Sequence, residues 1–354
     1  MTVEEIGITN LDFENFDKIK ELINSSFVSE NDKDFLSLIL SAKFDKVYFK
    51  NAKVSEPEFA SLKYFEISNW NEFSFDSIVA KDYTMQEEFN NFSLENFKIS
   101  KFSLDKDYTY DLLNSDESQQ LLLSGDYSEI FNSFVSLDNL ELKNFKANIN
   151  NSDVFFLDKA KISDLKFDYF GANNNIKVPT NLDIEINGAD FNYVEARDIN
   201  GGLAFLDGLV DEIGYEKIKF DFGTSWKWDT RANNISFNLD LGIADAASLA
   251  ISTDLADLDT NILTIQWTPL LNYLMTTPKL KELSLSLEDN SLKNKLLNYV
   301  AKEQNMTTDQ LKDFIIQTMD IYSNTLGINQ TLVKEFLDAT SNFINNSNKN
   351  IIKH

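Results

Sequence analysis

The chain has 354 residues, 43% of them hydrophobic, and carries 32 Lys and Arg against 57 Asp and Glu, for a net charge of −25. That apolar content is enough for a core and argues against wholesale disorder. The negative field repels phosphates, so it argues against nucleic acid and polybasic-type membrane binding. There is no cysteine and the one histidine is His354, which excludes disulfides, thiolate metal sites, Cys nucleophiles and any His-based triad inside the fold. No cofactor and no metal are expected.

The first residues, Val3, Ile6 and Ile8 among them, read as a short extended segment from the middle of a strand-rich protein. They lack the basic and apolar regions of a signal peptide. No 18-residue apolar run occurs anywhere in the chain. Arginine is confined to Arg197 and Arg231 while asparagine is abundant, a coding bias that points to a bacterium. An upstream signal or anchor is an expectation of this reading.

A module then recurs: a short amphipathic helix followed by a strand with apolar residues at relative positions 1, 4 and 6. Its first copy is "DFLSLILSAKFDKVYFK", with Phe44, Val47 and Phe49. The later copies carry Leu137, Leu140 and Leu142, then Tyr215, Ile218 and Phe220, then Leu280, Leu283 and Leu285. The strand pattern without its helix stands at Leu62–Ile67, Leu94–Ile99 and Leu157–Ile162. Unequal spacing between copies excludes a fixed-period solenoid.

Strict alternation takes over in the middle. Leu182, Ile184 and Ile186 alternate with acids, and Ile235, Phe237, Leu239 and Leu241 alternate with Ser236, Asn238 and Asp240. Leu249 and Ile251, then Leu263, Ile265 and Trp267, then Leu283, Leu285 and Leu287 follow. One dry and one wet face per strand is the signature of antiparallel sheet. Residues 235–241 and 263–267 are predicted to be neighbouring strands.

After Glu288 the period becomes helical, through Leu292, Leu296, Tyr299 and Val300. Thr307 and Gln310 form a capping box ahead of the stripe Leu311, Phe314, Ile315 and Met319. Asn329 is placed to cap a third helix carrying Leu332, Val333, Phe336 and Leu337. The predicted organisation is a β-rich body over 1–288, a helical segment over 289–346 packed on it, and a frayed tail over 347–354. The fold class is α+β, predominantly antiparallel β: curved or sandwiched meander sheets with short inserted helices and a helical C-terminal segment.

Asp257, Asp259 and Asn261 open like a calcium loop, but Ile262 and Thr268 stand where an EF-hand needs glycine and glutamate, so a polar turn is the better reading. No nucleotide-binding, nucleophile-elbow or zincin motif is present. Carboxylates are too numerous for any one acid–base pair to stand out, and no catalytic residue is assigned. The residues that invite a functional reading are apolar. Trp226 and Trp228 share one side of a strand, Phe220 lies on the same parity, and Phe237 lies on the next predicted strand. Buried, they are core; open, they line an apolar groove, and the 29 phenylalanines of the chain raise the same question.

The stretch Gly208–Leu337 resembles the YdgA-like, and more loosely the AsmA-like, envelope proteins of proteobacteria. The resemblance rests on Gly214–Phe220, the pair Trp228-Asp229, "NISFNLDLGIADAASLAIS", and "LSLSLEDNSLKNKLLNYVAKEQNMTTDQL". It implies a mostly β periplasmic or membrane-anchored protein and offers no catalytic residues. The combined expectation is a non-enzymatic bacterial envelope protein that binds or transfers lipid or another apolar ligand. The alternative is a structural or protein-interaction module with a self-filled core; a carboxylate-dependent hydrolase is a distant third.

Overall fold

The computed structural model describes residues 2–11, 43–55, 59–71, 73–109, 133–170, 176–197, 213–257, 279–325, 330–345 and 349–353. Its strands are β1 (Glu5–Thr9), β2 (Lys43–Val54), β3 (Phe59–Asn71), β4 (Ser74–Glu87), β5 (Asn90–Leu104), β6 (Phe134–Ile149), β7 (Ser152–Phe170), β8 (Ile176–Asn192), β9 (Lys217–Asp229), β10 (Asn234–Ile243), β11 (Ala247–Ala256), β12 (Lys279–Asp289) and β13 (Lys349–Lys353). Strand order in the sheet is chain order from β1 to β13, a meander without crossovers. The helices are α1 (Tyr193–Arg197), α2 (Leu292–Glu303), α3 (Thr308–Thr325) and α4 (Gln330–Asn345). The chain divides into two compact units, Met1–Lys146 with Ala160–Pro179, and Ala147–Lys159 with Thr180–His354.

In the first unit the 1-4-6 pattern proves to be part of a nine-residue unit with polar residues at positions 2 and 8 and a fourth apolar residue at 9. Phe44–Ala52, Leu62–Trp70, Phe75–Tyr83, Leu94–Phe102 and Leu137–Phe145 carry it, as does Leu157–Leu165 along β7, whose first three residues are assigned to the second unit. Val3–Leu11 carries it as well. In every copy position 8 is left-handed: Asn10, Asn51, Asn69, Asp82, Lys101, Asn144 and Asp164 all have φ between 48° and 55°. Asn and Asp tolerate that region better than other residues with a side chain, because their short polar groups bond locally.

Pairing follows from the motif. Antiparallel neighbours match position 1 with 9 and 4 with 6, as in Phe44↔Trp70, Val47↔Ile67, Phe49↔Phe65 and Ala52↔Leu62. Positions 2 and 8 face each other where the ladder is interrupted, and their side chains bond across it. Asn69 Nδ2 donates to Asp76 Oδ2 at 2.6 Å, Lys63 pairs with Asp82 at 3.1 Å and Lys101 with Asp138 at 3.1 Å. Asn51 donates to Glu4, Asn10 to Asp45 and Asn144 to Glu95 in the same way. Plain alternation would send positions 6 and 9 to opposite faces. The left-handed step between them returns position 9 to the apolar side. The result is a row of stacked rings at positions 1 and 9: Phe44–Trp70 at 5.9 Å, Trp70–Phe75 at 5.7 Å and Phe75–Phe102 at 5.1 Å. Offset ring pairs of this kind add about 0.5–1.5 kcal/mol each beyond their area.

The second unit keeps a strict two-residue period. β9, β10 and β11 pair without a break, Phe222↔Leu241↔Leu249 and Trp226↔Phe237↔Thr253 being typical rows. Two irregularities mark its flanks. Gly188, with φ +60°, sits in a register shift of β8 against β9, donates its N–H to Asp221 at 2.7 Å, and has no room for a Cβ, which would lie 2.7 Å from that of Asp158. The other shift, at Asp254/Leu255 against β12, explains why Leu280 and Leu283 stand three apart: a bulge inserts one residue between them. Tyr215, the first apolar position of the third module copy, precedes β9 altogether.

The helical segment joins the same unit as β8–β13. The start of α2 is anchored on the turn between β10 and β11, where the Ala246 carbonyl accepts the N–H groups of Asn290, Ser291 and Leu292 at 2.9–3.3 Å. Asp289 caps the helix by accepting from the Lys293 N–H at 2.7 Å. Leu297 and Ala301 of α2 bury against Leu311 and Ile315 of α3. The capping box forms as the sequence predicts, Gln310 N–H donating to Thr307 Oγ1 at 3.2 Å and Thr307 N–H to Gln310 Oε1 at 2.9 Å.

Three expectations need correction or placing. Residues 347–354 are not simply a frayed tail, because β13 pairs antiparallel with β12 from Ser284↔Lys353 to Glu288↔Lys349. β10 pairs with β9 and β11, and residues 263–267, predicted to be its neighbour, lie outside the described residues. The helical halves of the repeated modules, and most of the Asp257–Asn261 stretch, also lie outside them.

Candidate functional site

The meander leaves each strand of the second unit one apolar and one polar face. The apolar face is a lattice of cross-strand rows. One runs Ile186, Phe222, Leu241, Leu249, Leu287, and the next Ile184, Thr224, Leu239, Ile251, Leu285. A third runs Leu182, Trp226, Phe237, Thr253, Leu283. Cross-strand partners on one face lie within about 5 Å, so these rows form one continuous apolar surface.

All four residues singled out from the sequence fall on it. Trp226 faces Phe237, Trp228 faces Ile235, and Phe220 faces Ile243. The two indoles meet edge to face with centroids 6.3 Å apart. Their depth differs. Trp228 is 5% exposed and Ile235 5%, so this corner is packed core. Phe220, Trp226 and Phe237 are only half-buried, and so are Phe222, Leu239, Leu241, Leu249, Ile251, Leu283, Leu285 and Leu287. Periodicity could place these side chains on one face but could not give their depth.

The opposite face is polar and thinly furnished. Glu185, Gly223, Asp240, Ala250 and Ser286 follow one another across the strands and floor a shallow open groove. Gly223 leaves this floor open, a Cβ there having only the Asp240 Cβ within 4 Å, at 3.9 Å. Lys159 neutralises Glu185 at 2.9 Å and Lys219 meets Asp190 at 3.4 Å. Among the described residues no group of three or more His, Cys, Asp or Glu is arranged to hold a metal ion.

On the polar face of the first unit the charges are tied in pairs and triplets. Glu5 accepts from Lys50 Nζ at 2.8 Å and Tyr48 Oη at 2.6 Å. These bonds hold its carboxyl below its usual value and raise both Tyr48 and Lys50. Burial pushes Glu66 upward, but the bonds from Lys46 and Tyr64 outweigh it and the net direction is down. Such groups are held in one charge state, the opposite of a proton-transfer pair poised near neutrality. A second polar groove runs over Asn69, Asp76, Lys101 and Asp138, the interrupted row of positions 2 and 8. Its signal was present in the sequence as an Asn, Asp or Lys two places after each 1-4-6 triplet of the first unit.

A family model described only as an uncharacterized protein matches residues 240–351, which run from β10 into β13. No curated protein matches the chain. No solved structure matches it either. Among the described residues no helix is long and apolar enough to cross a membrane.

Proposed function

We propose that the chain is a non-enzymatic bacterial envelope protein that holds an elongated apolar ligand, a lipid acyl chain, along the apolar face of β8–β12. The observation that carries this reading is the half-burial of whole rows of Phe, Leu, Ile and Trp side chains on that face. A self-filled core would bury them; among the described Phe, Leu, Ile and Trp side chains of that face, only Trp228 and Ile235 reach that depth. Contiguous apolar surface left partly open on a stable fold marks a binding surface. A long chain lying across the rows would cover them one by one, and each methylene it buries contributes about 0.8 kcal/mol. The negative charge of the protein, −25, disfavours anionic headgroups at its surface, so the apolar tail supplies the recognition.

Native mass spectrometry with lipid extraction, on protein purified from its own host, tests this directly. Bound fatty acid or phospholipid is expected, with oleate quenching or shifting indole fluorescence in stripped protein. Trp226→Ala is expected to weaken oleate binding at least tenfold while leaving the fold intact. Protein that carries no lipid and does not respond to oleate would return the face to the reading of a structural module.

A further inference from the structure

The first unit ends in an edge strand that repeats the motif of its interior. Val3–Leu11 has every position of the nine-residue unit: apolar Val3, Ile6, Ile8 and Leu11, polar Glu4 at position 2, and left-handed Asn10 (φ 52°) at position 8. Among the described residues β1 pairs with β2 alone and stands at one end of the strand order. Ile6 and Ile8 face Phe49 and Val47 on one side and are 68% and 52% exposed, with Leu11 at 42%. Edge strands are commonly guarded by lysines, bulges or a cover. β13, at the other end, has Lys349 and Lys353 in its sequence, whereas Glu5–Thr9 has no lysine.

The motif is self-complementary when two copies run antiparallel, because 1 meets 9, 4 meets 6 and 2 meets 8. The pairings from β1 to β5 follow this rule at positions 1, 4, 6 and 9. We infer that β1 pairs with β1 of a second copy of this chain, antiparallel about a two-fold axis through Gly7. In that register Ile6 meets Ile8 of the second copy, Val3 meets Leu11, Glu4 meets Asn10, and Glu5 meets Thr9. No like charges face each other. The Glu–Asn contact repeats the one that Asn51 makes with Glu4 inside the unit. An axis normal to the sheet keeps the apolar sides of both copies together, and the interface is isologous, as two-fold pairs require.

One strand pair buries less than a standard interface, so the dimer should be weak, with dissociation in the range of about 10–100 µM. Both copies carry −25, so added salt should strengthen it by screening the repulsion. Sedimentation velocity up to about 200 µM, above that range, should show a monomer–dimer equilibrium that Ile6→Lys/Ile8→Lys weakens at least tenfold. The absence of cysteine allows a test of register. Oxidising a mixture of Ile6→Cys and Ile8→Cys proteins should give the cross-linked dimer, at least fivefold more than either protein alone. A monomer at all these concentrations overturns the proposal. A dimer that survives the lysine variant, or that cross-links equally in the single-variant controls, overturns it as well.

Discussion

The two units solve one problem in different ways. In the second, apolar and polar residues alternate without interruption through β9 and β10, and left-handed residues flank β10 and β11, at Asn233, Asp245 and Asp257, rather than standing within β9, β10 or β11. In the first, a left-handed residue stands within each of β2 to β7. Alternation needs nothing from the backbone but gives one apolar residue in two. The interrupted strand needs a residue that accepts positive φ, and in return sets apolar residues at both ends of its nine-residue unit on one face. The comparison shows that a 1-4-6 spacing is no defect of a period-2 pattern. It marks a strand whose conformation is punctuated at position 8. The same spacing at Leu280–Leu285 has another origin, the bulge of β12, so the Asn, Asp or Lys two places later is what tells the two apart.

The largest expected effect separates the two depths within the second unit. Trp228→Ala should cost about 3–5 kcal/mol in urea unfolding, because it empties a packed corner. Trp226→Ala, two residues away and less deeply buried, should cost less, under about 3 kcal/mol, since its side chain is not fully removed from solvent. Equal losses at the two positions would remove the distinction between core and open face.

A middle-sized effect should distinguish the units themselves. Asn69→Val places a β-branched residue in the left-handed region at about 1–2 kcal/mol and deletes the bond to Asp76 at about 1 kcal/mol more. Asn69→Gly keeps the conformation and should lose no more than the hydrogen bond, about 1 kcal/mol. The control is Asn238→Val in β10, an exposed position of a regular strand whose side chain donates to Ser225 at 3.0 Å, where the change should stay within about 1 kcal/mol. Chemical denaturation of the three variants measures the contrast.

The smallest effect is electrostatic and belongs to the first unit. The folded carboxyls of Glu5 and Glu66 lie below their ordinary value of 4.5. Their contribution is therefore present above that value and is lost as pH falls through the folded value. Glu66→Gln should flatten the acid limb of the stability profile and leave the neutral plateau slightly lower. An unchanged acid limb would show that Lys46 and Tyr64 do not stabilise this carboxylate.

Much of the architecture is legible in the sequence. Period-2 runs at residues 182–186 and 235–241 identify antiparallel strands, and Thr307 with Gln310 announces a helix start, because both signals are local. What was not legible depends on partners far away in the chain. Lys349–Lys353 looks like a polar tail until β12 supplies its ladder. The 1-4-6 triplets at Phe44 and Leu137 were readable, but Asn51 and Asn144 look like ordinary polar residues until the opposing Lys63 and Glu95 reveal the interrupted rows. Trp226 and Trp228 could be assigned to one face, but depth depends on what packs above them, and a single strand does not encode that.

The central claim is that a left-handed residue at position 8 organises the strands of the first unit. Backbone ¹³Cα and ¹³Cβ chemical shifts at Asn51, Asn69, Asp82, Lys101 and Asn144, in isotope-labelled protein, test it most directly. Left-handed shifts are expected at these five residues, each between neighbours with strand shifts. Strand shifts running unbroken through all five would contradict it.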